Sequence, residues 1–283
     1  MTAPATTPAV GPTLDRAASE LRAVSSTPRL DAELLLASVL DVGRAHLFAR
    51  PERALSAAAA AAFEDLLTRR RQGEPIAYIL GQAEFLGLPL QVTPAVLIPR
   101  PETEHLVERA LARLPQGGSL LDAGTGSGAI ALAIARDRPA SRIDGVDRDP
   151  AAILVAQRNR DRLGLPNLWL FVADWMDGLG DTGYGVIAAN PPYVERDAPE
   201  WAAGGLAYEP QCALDGGPDG LDAIRALAAG AGARLAPGGW LILEHGARQG
   251  SAVRELLTAH GLEAVTTTPD LAGHERVTEG RQP

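Results

Sequence analysis

Leu120-Leu-Asp122-Ala-Gly124-Thr-Gly126-Ser-Gly128, running on into Ala-Ile-Ala-Leu-Ala-Ile-Ala-Arg136, decides the fold. A short apolar run predicts a buried strand, three alternate glycines a tight turn, and the alanine-rich stretch a helix. Glycines at such a turn let the backbone approach a ligand that a Cβ would exclude. Outward from this unit the pattern repeats. Residues 142–146, 168–172, 186–189 and 240–244 read as strands, and 151–163, 221–235 and 251–260 as helices. Residues 262–267 and 275–278 read as final strands. Alternating strands and helices predict an α/β parallel sheet covered on both faces, with its ligand crevice at the C-terminal strand edges.

A glycine-rich turn alone is a weak signal, shared by dinucleotide-binding folds and ordinary turns. The acids around it narrow the choice. Asp122, just before the loop, would repel a pyrophosphate but suits the ammonium of an amino-acid-bearing cofactor. Asp147 closes the next strand about twenty residues on, where a carboxylate accepts both hydroxyls of a ribose. Asp174-Trp175 follows the third strand and offers an acceptor beside an aromatic face for an adenine. A single strand-end Asp is usually a helix cap, whereas three at successive strand ends behind a glycine loop point to a nucleoside cofactor. They favour S-adenosyl-L-methionine, with S-adenosyl-L-homocysteine as product, over NAD.

The fourth strand runs into Asn190-Pro191-Pro192-Tyr193. Two prolines fix φ and donate no hydrogen bonds, so the turn is stiff and its carbonyls are free to accept. An amide nitrogen is a poor nucleophile because its lone pair is delocalised. The Asn190 side-chain oxygen and the Pro191 carbonyl can each take one hydrogen of an NH₂ group, with Tyr193 against its flat face. Orientation and electrostatics then do the catalysis.

The 283 residues carry 46% hydrophobic and 22% charged side chains, enough for a full α/β domain and a smaller companion. The net charge of −9 speaks against a protein that grips nucleic acid through phosphates. Residues 1–80 balance nine acids against nine bases, so the excess lies in the remainder. No apolar run spans a bilayer, and one Cys with five scattered His shows no metal-ligand spacing. Neither a membrane nor a metal is expected. Residues 1–13, rich in Ala, Pro and Thr, read as a disordered tail rather than a signal peptide. Residues 14–24, 30–40 and 55–71 have helical periodicity, with Asp31 and Ser56 at helix starts; Gly87 and Pro89 mark a hairpin connector; residues 101–114 return to a helix. Arg69-Arg70-Arg71 reads as a solvated helix end, His245 as a packing residue, and the long segment 194–220 as a functional loop.

The chain resembles the HemK/PrmC family of peptide chain release factor N5-glutamine methyltransferases from about residue 14 to 281. The marks are Gly73-Glu-Pro-Ile-Ala-Tyr-Ile-Leu-Gly81, Phe85, Leu97-Ile-Pro-Arg-Pro-Glu-Thr-Glu104, the glycine loop, Asn190-Pro-Pro-Tyr193, Leu243-Glu-His-Gly246 and Glu275-Arg-Val-Thr278. The resemblance implies a helical docking domain over 14–82, a hairpin linker over 83–100 and a Rossmann-like methyltransferase domain over 101–283 whose last strand is antiparallel. It implies cofactor contacts at Gly124, Thr125, Gly126, Ser127, Gly128, Asp147, Trp175 and Asn190. It implies a substrate clamp of Asn190, Pro191, Pro192 and Tyr193, with Phe85 and Arg100 lining the same pocket. The implied substrate is the glutamine of the Gly-Gly-Gln loop of cytoplasmic release factors, and the implied role is in translation termination.

Two rivals share the Asn-Pro-Pro-Tyr turn. A glutamine methyltransferase of a ribosomal protein would differ in residues 14–85. An adenine-N6 nucleic-acid methyltransferase would flip a base into the pocket and would need a basic surface that this chain lacks.

Overall fold

The computed structural model describes residues 8–180, 183–202 and 204–283. The chain divides into two compact units, one of residues 1–81 with 202–208, the other of residues 82–201 with 209–283.

The first unit is helical: α1 (Val10–Leu21), α2 (Pro28–Leu40), α3 (Arg44–Ala49), α4 (Ala57–Arg71) and α5 (Ile76–Leu80). Helix α1 buries Val10, Thr13, Leu14, Ala17 and Leu21, the three- and four-residue spacing of one helical face. Helix α4 starts as its sequence predicts, with Ser56 Oγ accepting the Ala59 N–H at 3.2 Å. Phe63 and Leu67 reach the centre of this unit, and full burial of each is worth about 2–3 kcal/mol.

Three expectations are corrected here. Val10–Thr13 are not tail: the Val10 N–H donates to Arg53 O and the Leu55 N–H to Pro8 O, which pins the chain and lets α1 begin at Val10. Residues 1–7 of that predicted tail lie outside the described residues. Asp31 does not open α2, which begins at Pro28, but lies in its first turn, buried, accepting from Arg70 Nε at 2.7 Å. Arg70 in turn is not a solvated helix end, since its other nitrogens donate to the carbonyls of Val24 and Glu74. The short α3 and α5 escape a periodicity reading because five or six residues complete too few turns.

The second unit opens with a hairpin, β1 (Gln82–Phe85) and β2 (Leu88–Gln91), turning at Leu86-Gly87. Then follow α6 (Thr103–Arg113), β3 (Ser119–Ala123), α7 (Ala129–Asp137), β4 (Arg142–Asp147), α8 (Pro150–Leu163), β5 (Leu168–Val172), β6 (Tyr184–Ala189), α9 (Asp222–Ala231), β7 (Leu235–Glu244), α10 (Gly250–Ala259), β8 (Glu263–Pro269) and β9 (Glu275–Arg281). The seven-stranded sheet has the order β5-β4-β3-β6-β7-β9-β8. The first five strands run parallel and β9 runs antiparallel to both neighbours. Helices α6, α7 and α8 pack on one face and α9 and α10 on the other. The expected helix over 221–235 is shorter than predicted. Tyr184 donates its N–H to Arg234 O and pairs with Leu235, so this stretch is drawn into the sheet.

A buried side chain helps fasten the hairpin to this unit, beside Arg136 and Arg162, which donate to Leu86 O and Pro89 O. Asn159 of α8, fully buried, accepts the Gln91 N–H at 2.7 Å and returns Nδ2 to Gln91 O at 3.0 Å and to Ser127 O at 2.9 Å. A buried amide with all these partners is satisfied and therefore inexpensive to bury. Strand order reverses between β3 and β6, so the crevice forms where β3 and β6 end. Among the described residues no helix is long and apolar enough to cross a membrane.

Candidate active site

The turn after β3 is held from beneath. Gly124 and Thr125 donate N–H to Val146 O at 2.9 and 2.8 Å, tying the loop to β4. Gly124 sits at φ +82°, and a Cβ there would lie 3.1 Å from Trp175 Cζ3. Gly128, at φ +85°, would push a Cβ to 2.9 Å from Leu132 Cδ1. Glycine is required at both positions for conformation and for room.

Asp122 takes a different role from the one its position suggests. Its side chain is fully buried behind the loop, where Oδ2 accepts from Thr125 Oγ1 at 2.6 Å and from the Ala131 N–H at 3.1 Å. It does not line the cleft, so it braces the turn and the start of α7 instead of facing an ammonium group. Burial, only partly offset by Thr125 and Ala131, pushes its carboxyl up to about 7.

Asp147, closing β4, does face the cleft. Its Oδ2 accepts the Gly126 N–H at 3.0 Å and its Oδ1 the Asp149 N–H at 2.9 Å. Each oxygen keeps a further lone pair, the acceptor set that the two hydroxyls of a ribose need. Burial raises this carboxyl above its ordinary range and the two backbone N–H groups hold it back. Trp175 adopts φ +51° in the left-handed region, which turns its ring over Gly124.

These residues open onto one cleft of about 320 Å³. Gly124, Thr125, Gly126 and Ser127 form its floor; Asp147, Asp149, Asp174 and Trp175 form one wall; Asn190, Pro192, Arg100 and Thr103 form another. The long segment before α9 adds Pro210, Cys212, Ala213 and Asp215 to the lining. Of the residues implied by resemblance, Gly128, Pro191 and Tyr193 lie beside the cleft without lining it. Phe85 does not line it at all: it is buried in the core formed with α6, α7 and α8.

The Asn-Pro-Pro-Tyr turn follows β6. Asn190 Nδ2 donates to Thr103 Oγ1 of α6 at 3.0 Å. Tyr193 OH donates to Glu244 Oε1 at 3.2 Å, and Tyr193 O accepts from Gln249 Nε2 at 3.2 Å. Gln249 also donates to Gly220 O and accepts the Gly246 N–H, so one side chain joins the Tyr193 carbonyl to two other loops. Burial and the adjacent Glu244 raise the Tyr193 phenol well above its ordinary range, so it remains a hydrogen-bond donor. Arg100 is held by Glu209, a buried carboxylate that also accepts the Ile98 N–H at 3.1 Å.

Thr103, Glu209, Glu244 and Gln249 were not read as site residues. Thr103 and Glu244 lie in the Leu97–Glu104 and Leu243–Gly246 stretches that carry the family resemblance. His245 keeps its packing role: it contacts Gly246 O and Thr278 Oγ1, and burial lowers its pKa.

A seven-stranded sheet with a reversed strand beside its edge, a glycine loop after the first strand and an Asn-Pro-Pro-Tyr turn after the fourth define a methyltransferase. Solved structures share this fold. A Pyrococcus furiosus methyltransferase aligns over 77% of this chain and 98% of its own, with a TM-score of 0.55 at 20% identity. A Thermus thermophilus 16S rRNA N2 G1207 methyltransferase, in complex with AdoMet and guanosine, aligns over 71% of this chain and 50% of its own, with a TM-score of 0.53 at 23% identity. The PrmC N-terminal domain family matches residues 13–81 and the methyltransferase small domain family residues 102–204. Release factor glutamine methyltransferases of Xylella fastidiosa strain Temecula1 and Escherichia coli K12 are 48% and 45% identical. The first covers 90% of this chain and 94% of its own length, the second 95% and 97%. The chain belongs to the release factor glutamine methyltransferase family.

Proposed function

We propose that this chain transfers a methyl group from S-adenosyl-L-methionine to the N5 side-chain amide nitrogen of a glutamine in peptide chain release factors, that of the Gly-Gly-Gln motif, in the cytoplasm. The observation that carries the reading is that the glycine loop, Asp147 and Asn190 open onto one cleft. Asp147, with lone pairs remaining on both oxygens, fits a ribose; Trp175 and Asp174 fit an adenine; residues 124–127 fit a ligand pressed close to backbone.

When bound, the cofactor supplies an electrophilic methyl on a sulfonium. The chain's own residues supply position. Asn190 Oδ1 and the Pro191 carbonyl each accept one N–H of the substrate amide, which turns its nitrogen toward the cofactor. Tyr193, fixed at its hydroxyl by Glu244 and at its carbonyl by Gln249, holds the turn in place. Fixed acceptors aimed at an NH₂ group favour the transition state, where that nitrogen becomes positive, over the neutral ground state. A methylated amide nitrogen is cationic and acidic, so its proton leaves for water after transfer and no strong base is needed beforehand. Residues 14–82, a helical unit with its own core, suit the docking of the release factor.

The test is mass spectrometry of purified release factors and of ribosomal proteins after incubation with the enzyme and methyl-labelled cofactor. One labelled methyl on the Gly-Gly-Gln glutamine is expected. Label on a ribosomal protein alone would replace this substrate with the rival one.

A further inference from the structure

The Asn190 amide must present its oxygen, not its NH₂, to the cleft if it is to accept a substrate N–H. In the structure its Nδ2 is spent on Thr103 Oγ1 at 3.0 Å. A threonine hydroxyl has one proton, and while it accepts from Asn190 that proton has to point elsewhere. The neighbouring acceptor is Glu244 of β7, on whose carboxyl the Thr103 hydroxyl acts. This carboxyl is 0% exposed, it accepts from Tyr193 OH through Oε1, and its buried Oε2 has a lone pair to offer, with no hydrogen bond formed to it among the described residues. Glu244 lines no part of the cleft.

Building on the reading of Asn190 as substrate clamp, we propose that Glu244 is a positioning residue whose carboxylate, through the Thr103 hydroxyl, fixes which end of the Asn190 amide faces the cleft. When Glu244 is ionised it can only accept, so Thr103 donates its hydroxyl hydrogen bond to it, Thr103 Oγ1 accepts the Asn190 Nδ2–H, and Asn190 Oδ1 faces the substrate. When Glu244 is protonated it can donate to Thr103. The Thr103 hydrogen then turns to Asn190 Oδ1, and Nδ2 faces the cleft, donor against donor. Protonation of a group outside the cleft thus reverses the polarity of the clamp.

The groups around Glu244 set where this happens. Burial pushes its carboxyl up to about 7; the Thr103 and Tyr193 hydroxyls restrain the rise; Glu102, at the turn before α6, adds to it; Arg276 of β9 opposes it. His245, next in sequence, turns to Gly246 O and Thr278.

The polarity is read directly from the side-chain ¹⁵N amide signal of Asn190 in the full-length protein with S-adenosyl-L-homocysteine, assigned by its loss in Asn190→Ala. In the wild type and in Thr103→Ser this signal should titrate with a midpoint near 7. In Thr103→Val and Glu244→Gln it should not. Single-turnover methylation of a release factor at saturating cofactor should follow the same curve, active on the alkaline side. Thr103→Val should lower that rate by about 10²-fold, the scale of a misplaced reacting group, with S-adenosyl-L-homocysteine affinity unchanged. Thr103→Ser should restore both rate and pH dependence, which a mere packing role would not require. A pH-independent Asn190 amide in the wild type, or an unaltered titration in Glu244→Gln, would overturn the proposal. Should Asn190→Ala keep the wild-type rate while the Asn190 amide of the wild type titrates, the clamp reading fails and the Glu244–Thr103 coupling stands.

Discussion

The Gly126 N–H donates to Asp147 Oδ2 at 3.0 Å, so the glycine loop of β3 and the acid that closes β4 form one hydrogen-bonded unit. The same carboxylate holds the Asp149 N–H through its other oxygen at 2.9 Å. Asp147 therefore shapes the loop as well as facing the cleft.

Asp147→Ala should weaken cofactor binding by roughly 1–3 kcal/mol, the cost of leaving polar partners unpaired. Asp147→Asn, which keeps one acceptor oxygen, should lose less than Asp147→Ala. Calorimetric titration with S-adenosyl-L-homocysteine checks both, and an unchanged affinity in the alanine variant would remove Asp147 from the site.

Asn190→Ala should depress turnover by about 10²-fold or more, because orientation of a poor nucleophile is what the side chain provides. The dissociation constant for S-adenosyl-L-homocysteine should shift much less than turnover does. Steady-state kinetics beside a binding titration separates the two effects; wild-type turnover would refute the clamp.

Asp31→Ala should destabilise the protein by about 3–5 kcal/mol, since Arg70 would be left as a buried charge with its partner gone. The two side chains are only 5% and 12% exposed. Asp31→Leu combined with Arg70→Met should recover most of the loss. Chemical denaturation reads both, and equal stabilities for Asp31→Ala and the wild type would show the pair to be inert.

Glu279 of β9 carries an acid-sensitive part of the stability. Burial alone would raise its carboxyl, but Arg109 and Arg113 of α6 outweigh burial and hold it below the ordinary value. A depressed folded pKa means a contribution present above the unfolded value of about 4.3 and lost as pH falls through the folded one. Glu279→Gln should therefore be less stable than the wild type at neutral pH, and the difference should shrink below about pH 4.3. Thermal unfolding across that range is the check; a gap that widened in acid would contradict the assignment.

What the sequence made legible and what it hid divide along a physical line. The strand, glycine loop and helix at 120–136 are local patterns, as is the stiff turn at 190–193, and each holds its place in the fold. Val10–Thr13 were hidden because Ala, Pro and Thr composition also suits a loose tail, while the backbone bonds that pin them come from residues 51–55. Asp31 was misread because its partner Arg70 stands 39 residues away. Asp122 shows the finer limit. Its position on the strand was readable, but which side of the turn its carboxylate occupies depends on Thr125 and Ala131. Phe85 is hidden for the same reason, since an aromatic at the end of a hairpin strand suits a pocket wall and a core equally. Thr103, Glu244 and Gln249 act through contacts with Asn190 and Tyr193 that only the folded chain brings together.

Strands β7 and β8 follow each other with only α10 between, yet β9 lies between them in the sheet. During synthesis the apolar edge of β7, with Leu241, Ile242 and Leu243 all destined for burial, stays unpaired until β9 has been made. Until β9 has emerged, the nascent chain thus carries an open, aggregation-prone strand edge. The two final ladders, β7 with β9 and β9 with β8, then close together when β9 slots in, which makes completion of this sheet a single joint step rather than a gradual one.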